Sequence, residues 1–247
     1  MSKHLTYRTG NPILTTNAFN TTSVSSETMT IRGTVDKTFL SLMILMVIGY
    51  YSFMYGQIIN GFVIIGFSIF ALIVAFITIR NKQWSPITVP IYAALQGVAL
   101  GGLSYFFNSL YDGIVLSAIC ITVSILLAML MIYRSGLIKP TENFKLGIAA
   151  ATGGIAIVYM INFIMSFFGS QMGIMSIQNA SFMSIGFSLF VIVIAALSLV
   201  VDFDFIEEGA EKGAPKYMEW FGAFGLLVTL IWLYIEILRL LAKLRSR

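Results

Sequence analysis

Charge is what this sequence has least of. Lysine, arginine, aspartate and glutamate together make up 11% of its 247 residues, against about 25% in soluble domains. So few polar groups cannot cover a water-soluble domain of this length. Histidine is nearly absent: the one copy, His4, sits in a polar stretch near the N-terminus. That excludes a His-ligated metal site and a histidine general base from the apolar part of the chain. Cysteine is as scarce. Cys120 is alone and lies in an apolar run, so no intrachain disulfide can form and the redox compartment is not legible. A nucleic-acid patch is missing too, because the basic residues behind the net charge of +4 fall at segment ends.

Apolar sequence is abundant instead. Hydrophobic residues make up 58% of the chain, and the mean hydropathy is +0.90. Seven segments, roughly 38–56, 61–79, 87–107, 113–133, 148–168, 183–206 and 220–241, each come close to the ~20 residues that cross a ~30 Å hydrocarbon core as helix. Lipid offers an open backbone no partner, so helices are required. The expected fold is all-α integral membrane, with seven transmembrane helices over residues 37–247. Residues 1–36, rich in Thr, Ser and Asn, read as a polar N-terminal tail, mobile or lying on the surface. No apolar core of a cleaved signal precedes Phe39. Asn20-Thr-Thr22 matches a glycosylation sequon, a pattern short enough to arise by chance.

Basic residues set the expected orientation. They cluster in the tail (Lys3, Arg8, Arg32, Lys37) and after the second (Arg80, Lys82), fourth (Arg134, Lys139, Lys145) and sixth (Lys212, Lys216) segments. The loops after the first, third and fifth have none. The positive-inside rule then puts the N-terminus in the cytoplasm. The basic C-terminus, with Arg239, Lys243, Arg245 and Arg247, conflicts with seven crossings. Either the early helices dictate orientation or the last segment stops short; seven crossings is the reading adopted.

Most polar residues within the segments fit a scaffold. Gly97 and Gly101 form a GxxxG, which lets helices approach closely. Packing within one chain is the simpler reading than a dimer interface, and a monomer or weak oligomer is expected. In the fifth segment Tyr159, Asn162 and Ser166 share a face. They serve either interhelical hydrogen bonding or a pore lining, and Gln96 poses the same choice.

The two acids at membrane depth are different. An ionised side chain at the bilayer centre costs at least about 2.5–3.5 kcal/mol, so it needs a partner or a task. Asp204, Glu207, Glu208 and Glu211 share one helical face and read as a solvated rim. Asp202 points nearly opposite, with Ser198, Leu199, Phe205 and Ile206. Glu236 follows the uncharged run Trp220–Ile235. Two readings of it stand: a rim pair with Arg239, with the basic residues snorkelling outward, or a functional acid. If Asp202 and Glu236 meet, they must share a proton, which makes the pair a pH sensor. Doubly ionised, the pair could bind a cation, and calcium prefers such oxygen ligands.

The stretches MTIRGTVDKT, LIKPTENF and above all GAPKYMEWFGAFGLLVTLIWLYIEILRLLAKLR resemble the Bax inhibitor-1 (transmembrane Bax inhibitor motif) family, most closely its bacterial branch. The resemblance implies six helices around a central C-terminal one, in the bacterial cytoplasmic (inner) membrane. It implies a pH-sensitive calcium leak gated by a protonatable acid pair. Asp202 in LSLVVDF matches the first acid, and Glu236 in LYIEIL takes the position of the second. Arg80 in AFITIR is the nearest match to the arginine associated with the latch. The chain departs from the pattern in having Glu as the second acid, no buried acid in the second segment, and a longer separation between the pair. Depth is also mismatched: at ~1.5 Å per residue, Glu236 lies about 24 Å from the start of its helix and Asp202 about 15 Å from the end of its own.

The alternative function is a non-conducting regulator that binds partner membrane proteins, such as a membrane protease, through the tail and the acidic rim. An enzyme is not expected. The GxGD signature of intramembrane aspartyl proteases is absent, since Val-Val precedes Asp202. Neither a cofactor fingerprint nor a nucleophile with an identifiable base stands out, and no cofactor is expected beyond calcium as a transported or bound ion.

Overall fold

Backbone amides buried in lipid can be satisfied only within the segment that carries them. A computed structural model, describing residues 27–138 and 140–246, accordingly shows seven long helices. They are α1 (Ile31–Met54), α2 (Gly61–Arg80), α3 (Ser85–Leu110), α4 (Ile114–Arg134), α5 (Glu142–Phe167), α6 (Phe182–Glu211) and α7 (Met218–Arg245). All seven are long and apolar enough to cross a membrane. One-turn 3-10 helices occupy Lys82–Trp84 and Gly173–Met175. His4, the Asn20 sequon, Lys139, Arg247 and the tail as far as residue 26 lie outside the described residues.

The helices outrun the apolar segments because caps, rather than loss of hydrophobicity, end them. Thr30 accepts from the Gly33 amide and starts α1 at Ile31, inside the expected tail. Thr141 does the same for α5 through the Phe144 amide. Gly213, at φ 64°, closes α6: its amide donates to Ala210 O and that of Ala214 to Gly209 O, the paired bonds of a Schellman motif. At 28 residues, α7 is about 42 Å long, enough to cross a ~30 Å core completely.

The chain forms two compact units, and α6 and α7 each contribute to both. One unit holds α1–α3, Asp204–Val228 and the turn within it. Here α1 and α2 both pack on α3. The GxxxG of α3 serves that packing. A Cβ on Gly101 would stand 2.3 Å from the Gly49 carbonyl oxygen, and one on Gly97 would stand 2.8 Å from that of Leu45. The close approach lets Ser52 donate to the Val98 carbonyl at 2.7 Å.

The same unit holds a clasp that the sequence did not announce. Glu219, 0% exposed at the start of α7, accepts from Lys37 Nζ at 2.5 Å, the Thr30 amide at 3.0 Å and the Thr30 hydroxyl at 2.9 Å. Lys216 Nζ lies 3.4 Å away. The preceding residues run beside the α6–α7 turn, with a bridge between Thr28 and Pro215 and the Met29 amide donating to Ala214 O at 2.7 Å. Gly33 is required at this point: a Cβ there would fall 2.1 Å from Glu219 Oε1.

The other unit holds Gly113–Phe203 and Thr229 onward. Its core is Ile148, Ile155, Val191, Ile194 and Val201, flanked by Tyr159 and Trp232. Lys243, expected to snorkel, is instead buried at 1% exposure. Its ammonium donates to Ile174 O at 2.9 Å, Ser184 O at 3.2 Å and Ser188 Oγ at 2.9 Å. Three oxygens on and before α6 replace the water that snorkelling would have reached. Lys243 is thus an internal anchor, and Arg239 is committed to Glu236 at 2.9 Å. The basic C-terminus is therefore less of a topology signal than its charge suggests.

Candidate functional site

Asp202 of α6 and Glu236 of α7 lie in the same unit, and both are buried: Asp202 at 0% exposure and Glu236 at 2%. Asp202 Oδ2 accepts from the Thr229 hydroxyl at 2.6 Å. Thr229 stands seven residues before Glu236, about 10 Å along α7 at ~1.5 Å per residue. Thr229 is itself 3% exposed, so this short bond is sealed from solvent. A hydroxyl can donate to a carboxylate or accept from a carboxylic acid, so the contact suits either protonation state of Asp202.

Glu236 has its own surroundings. Its Oε1 accepts from the Tyr159 hydroxyl at 2.6 Å and from Arg239 NH1 at 2.9 Å. The guanidinium of Arg239 also sits over the Tyr159 ring, 5.4 Å from its centroid. The i+3 pairing with Arg239 fits the rim reading of Glu236, while its burial and the tyrosine from α5 fit the functional one. Both features are present in one group.

The other expected residues take separate places. Tyr159 bonds Glu236, as above. On the same face of α5, Asn162 Oδ1 accepts from the Met172 amide at 2.9 Å, tying the α5–α6 loop to the helix, and Ser166 bonds back to Phe163 O. Gln96 belongs to the α1–α3 unit, where it donates to the Tyr92 hydroxyl at 3.4 Å. Arg80 ends α2, exposed, in that unit; the arginine beside Glu236 is Arg239. Among the described residues, no three His, Cys, Asp or Glu side chains gather to hold a metal ion.

Three residues of consequence escaped the sequence: Thr229, Glu219 and Lys243. Depth could have found the first. Asp202 lies ten residues before Lys212 and Thr229 eleven after Met218, which puts both about 15–17 Å from the α6–α7 turn at ~1.5 Å per residue. Glu219 and Lys243 carry no such signal, because their partners are backbone groups and side chains distant in sequence.

A family model described as Bax inhibitor 1 like matches residues 11–246 of the chain. A search of curated proteins returns no match.

Proposed function

The chain belongs to the Bax inhibitor 1 like family, and from that premise we propose that it is a pH-sensitive cation leak, with calcium as the permeating ion, in a bacterial cytoplasmic membrane with its N-terminus inside. The observation that carries this reading is the Asp202–Thr229 bond, which joins a carboxyl group of α6 at 0% exposure to a hydroxyl of α7. Ionised, Asp202 can only accept, and Thr229 must donate. Protonated, Asp202 carries its own donor and the direction of the bond can reverse. Proton uptake thereby changes the tie between α6 and α7 and biases a two-state equilibrium.

Glu236 is the second proton acceptor in this scheme. Ionised, it holds Arg239 and Tyr159 together; protonated, it loses the ion pair and releases the guanidinium. Each of the two acids has a hydroxyl among its partners, Thr229 for Asp202 and Tyr159 for Glu236. A permeating calcium ion would meet the carboxyl oxygens it prefers one at a time. The test uses purified protein in liposomes that enclose a calcium dye. The expected result is influx that varies with pH, with the dependence reduced in Glu236→Gln. Influx that is the same at every pH would reject the proposal.

A further inference from the structure

Where α5 ends and the loop to α6 begins, a half-open cavity of about 670 Å³ lies within the α4–α5 unit. That is within the ~300–1,000 Å³ usual for small-ligand sites. Among the described residues, Arg239 is the single charged one in its lining. One guanidinium nitrogen is occupied by Glu236, yet the group has five N–H donors, and 36% of the side chain is exposed. The guanidinium carbon sits 5.4 Å from the centroid of the Tyr159 ring.

The neutral lining supplies donors as well. The Met172 backbone N–H can only donate, so its bond to Asn162 Oδ1 fixes that amide's orientation and leaves its NH₂ free to donate elsewhere. Gln171 and Gln178 add two more amides to the lining. Glu236 offsets the charge of Arg239, but the Lys243 ammonium, bonded to Ile174 O next to the lining residue Met175, restores a net positive balance. A carboxylate would be satisfied by the guanidinium alone. Amide donors spread around it suit an anion with oxygens on several sides.

We propose that this cavity binds an oxyanion of the phosphate type. It could come from a free phosphate or from a lipid headgroup whose chains lie on the exposed Phe167 and Phe168 at the end of α5. The bound anion competes with Glu236 for Arg239. This site does not depend on ion conduction.

The test is calorimetric titration of the detergent-solubilised full chain with inorganic phosphate at constant ionic strength, repeated with short-chain phosphatidylglycerol present. Saturable phosphate binding is expected. Competition by the lipid assigns the site to headgroups, and its absence assigns it to free phosphate. Arg239→Gln should weaken binding roughly tenfold or more, the loss of a charge-assisted hydrogen bond. The double variant Gln171→Leu with Gln178→Leu should weaken it too, which keeps the test valid if Arg239→Gln misfolds. Glu236→Gln should tighten binding by freeing the guanidinium, and the exposed Arg134→Gln should leave it unchanged. Absence of saturable binding, or wild-type affinity in both the Arg239 variant and the double glutamine variant, would overturn the proposal.

Discussion

Thr229 donates its hydroxyl to Asp202 Oδ2 at 2.6 Å, joining α7 to α6 at a point where both side chains are sealed from solvent. The acid of α6 thus meets a hydroxyl on α7, and the acid of α7 meets a tyrosine and an arginine. The consequences of the two contacts can be measured separately.

Thr229→Val keeps the shape and removes the donor. A hydrogen bond to a charged group contributes about 1.5–3 kcal/mol, so the variant should unfold at lower temperature than the wild type. A thermal melt checks the effect.

Gly101→Ala should destabilise the α1–α3 contact, since its Cβ would stand 2.3 Å from a backbone oxygen that cannot turn away. Overpacking of this kind costs about 1–3 kcal/mol. Gly66→Ala, with nothing within 4 Å of the added carbon, should be close to neutral. Melting curves of the two variants in one detergent provide the comparison.

Glu219→Gln should loosen the clasp at the start of α1. The ion pair with Lys37 is lost, while the amide can still accept from Thr30. Trypsin cleavage at the exposed Arg32 should speed up, and a double-mutant cycle with Lys37→Met should give a coupling of about 0.5–3 kcal/mol. Equal cleavage rates in wild type and variant would show that the clasp does not hold the helix start.

Lys243→Met should release the loop before α6. The carbonyls of Ile174 and Ser184 lose a charged donor, and the methionine stem restores none of it. Hydrogen exchange over residues 174–188 should accelerate, while exchange in α3 should not change.

The seven helices were legible because lipid leaves the backbone a single solution, and hydropathy reports it directly. Their ends were less so. Thr30 and Thr141 extend α1 and α5 through caps that a hydropathy window does not weigh. Asp202 was identified as the inward-facing acid from its angular position alone. Its hydrogen bond to Thr229 was not legible, because a search for a second acid passes over a threonine. The mismatch in depth between Asp202 and Glu236 carried the information: a residue matched in depth to Asp202 falls at Thr229. Glu219 and Lys243 were hidden for another reason. Nothing near either residue in sequence names its partners, and only the fold brings α1 to the first and the α5–α6 loop to the second.

The most direct measurement is calcium influx into liposomes carrying Asp202→Asn, followed as pH is varied beside the wild type. Asparagine keeps the size and a hydrogen bond to Thr229 but cannot titrate. The account predicts that the variant's influx loses most of the wild type's pH dependence while the protein remains folded. A variant with the same pH profile as the wild type would contradict it.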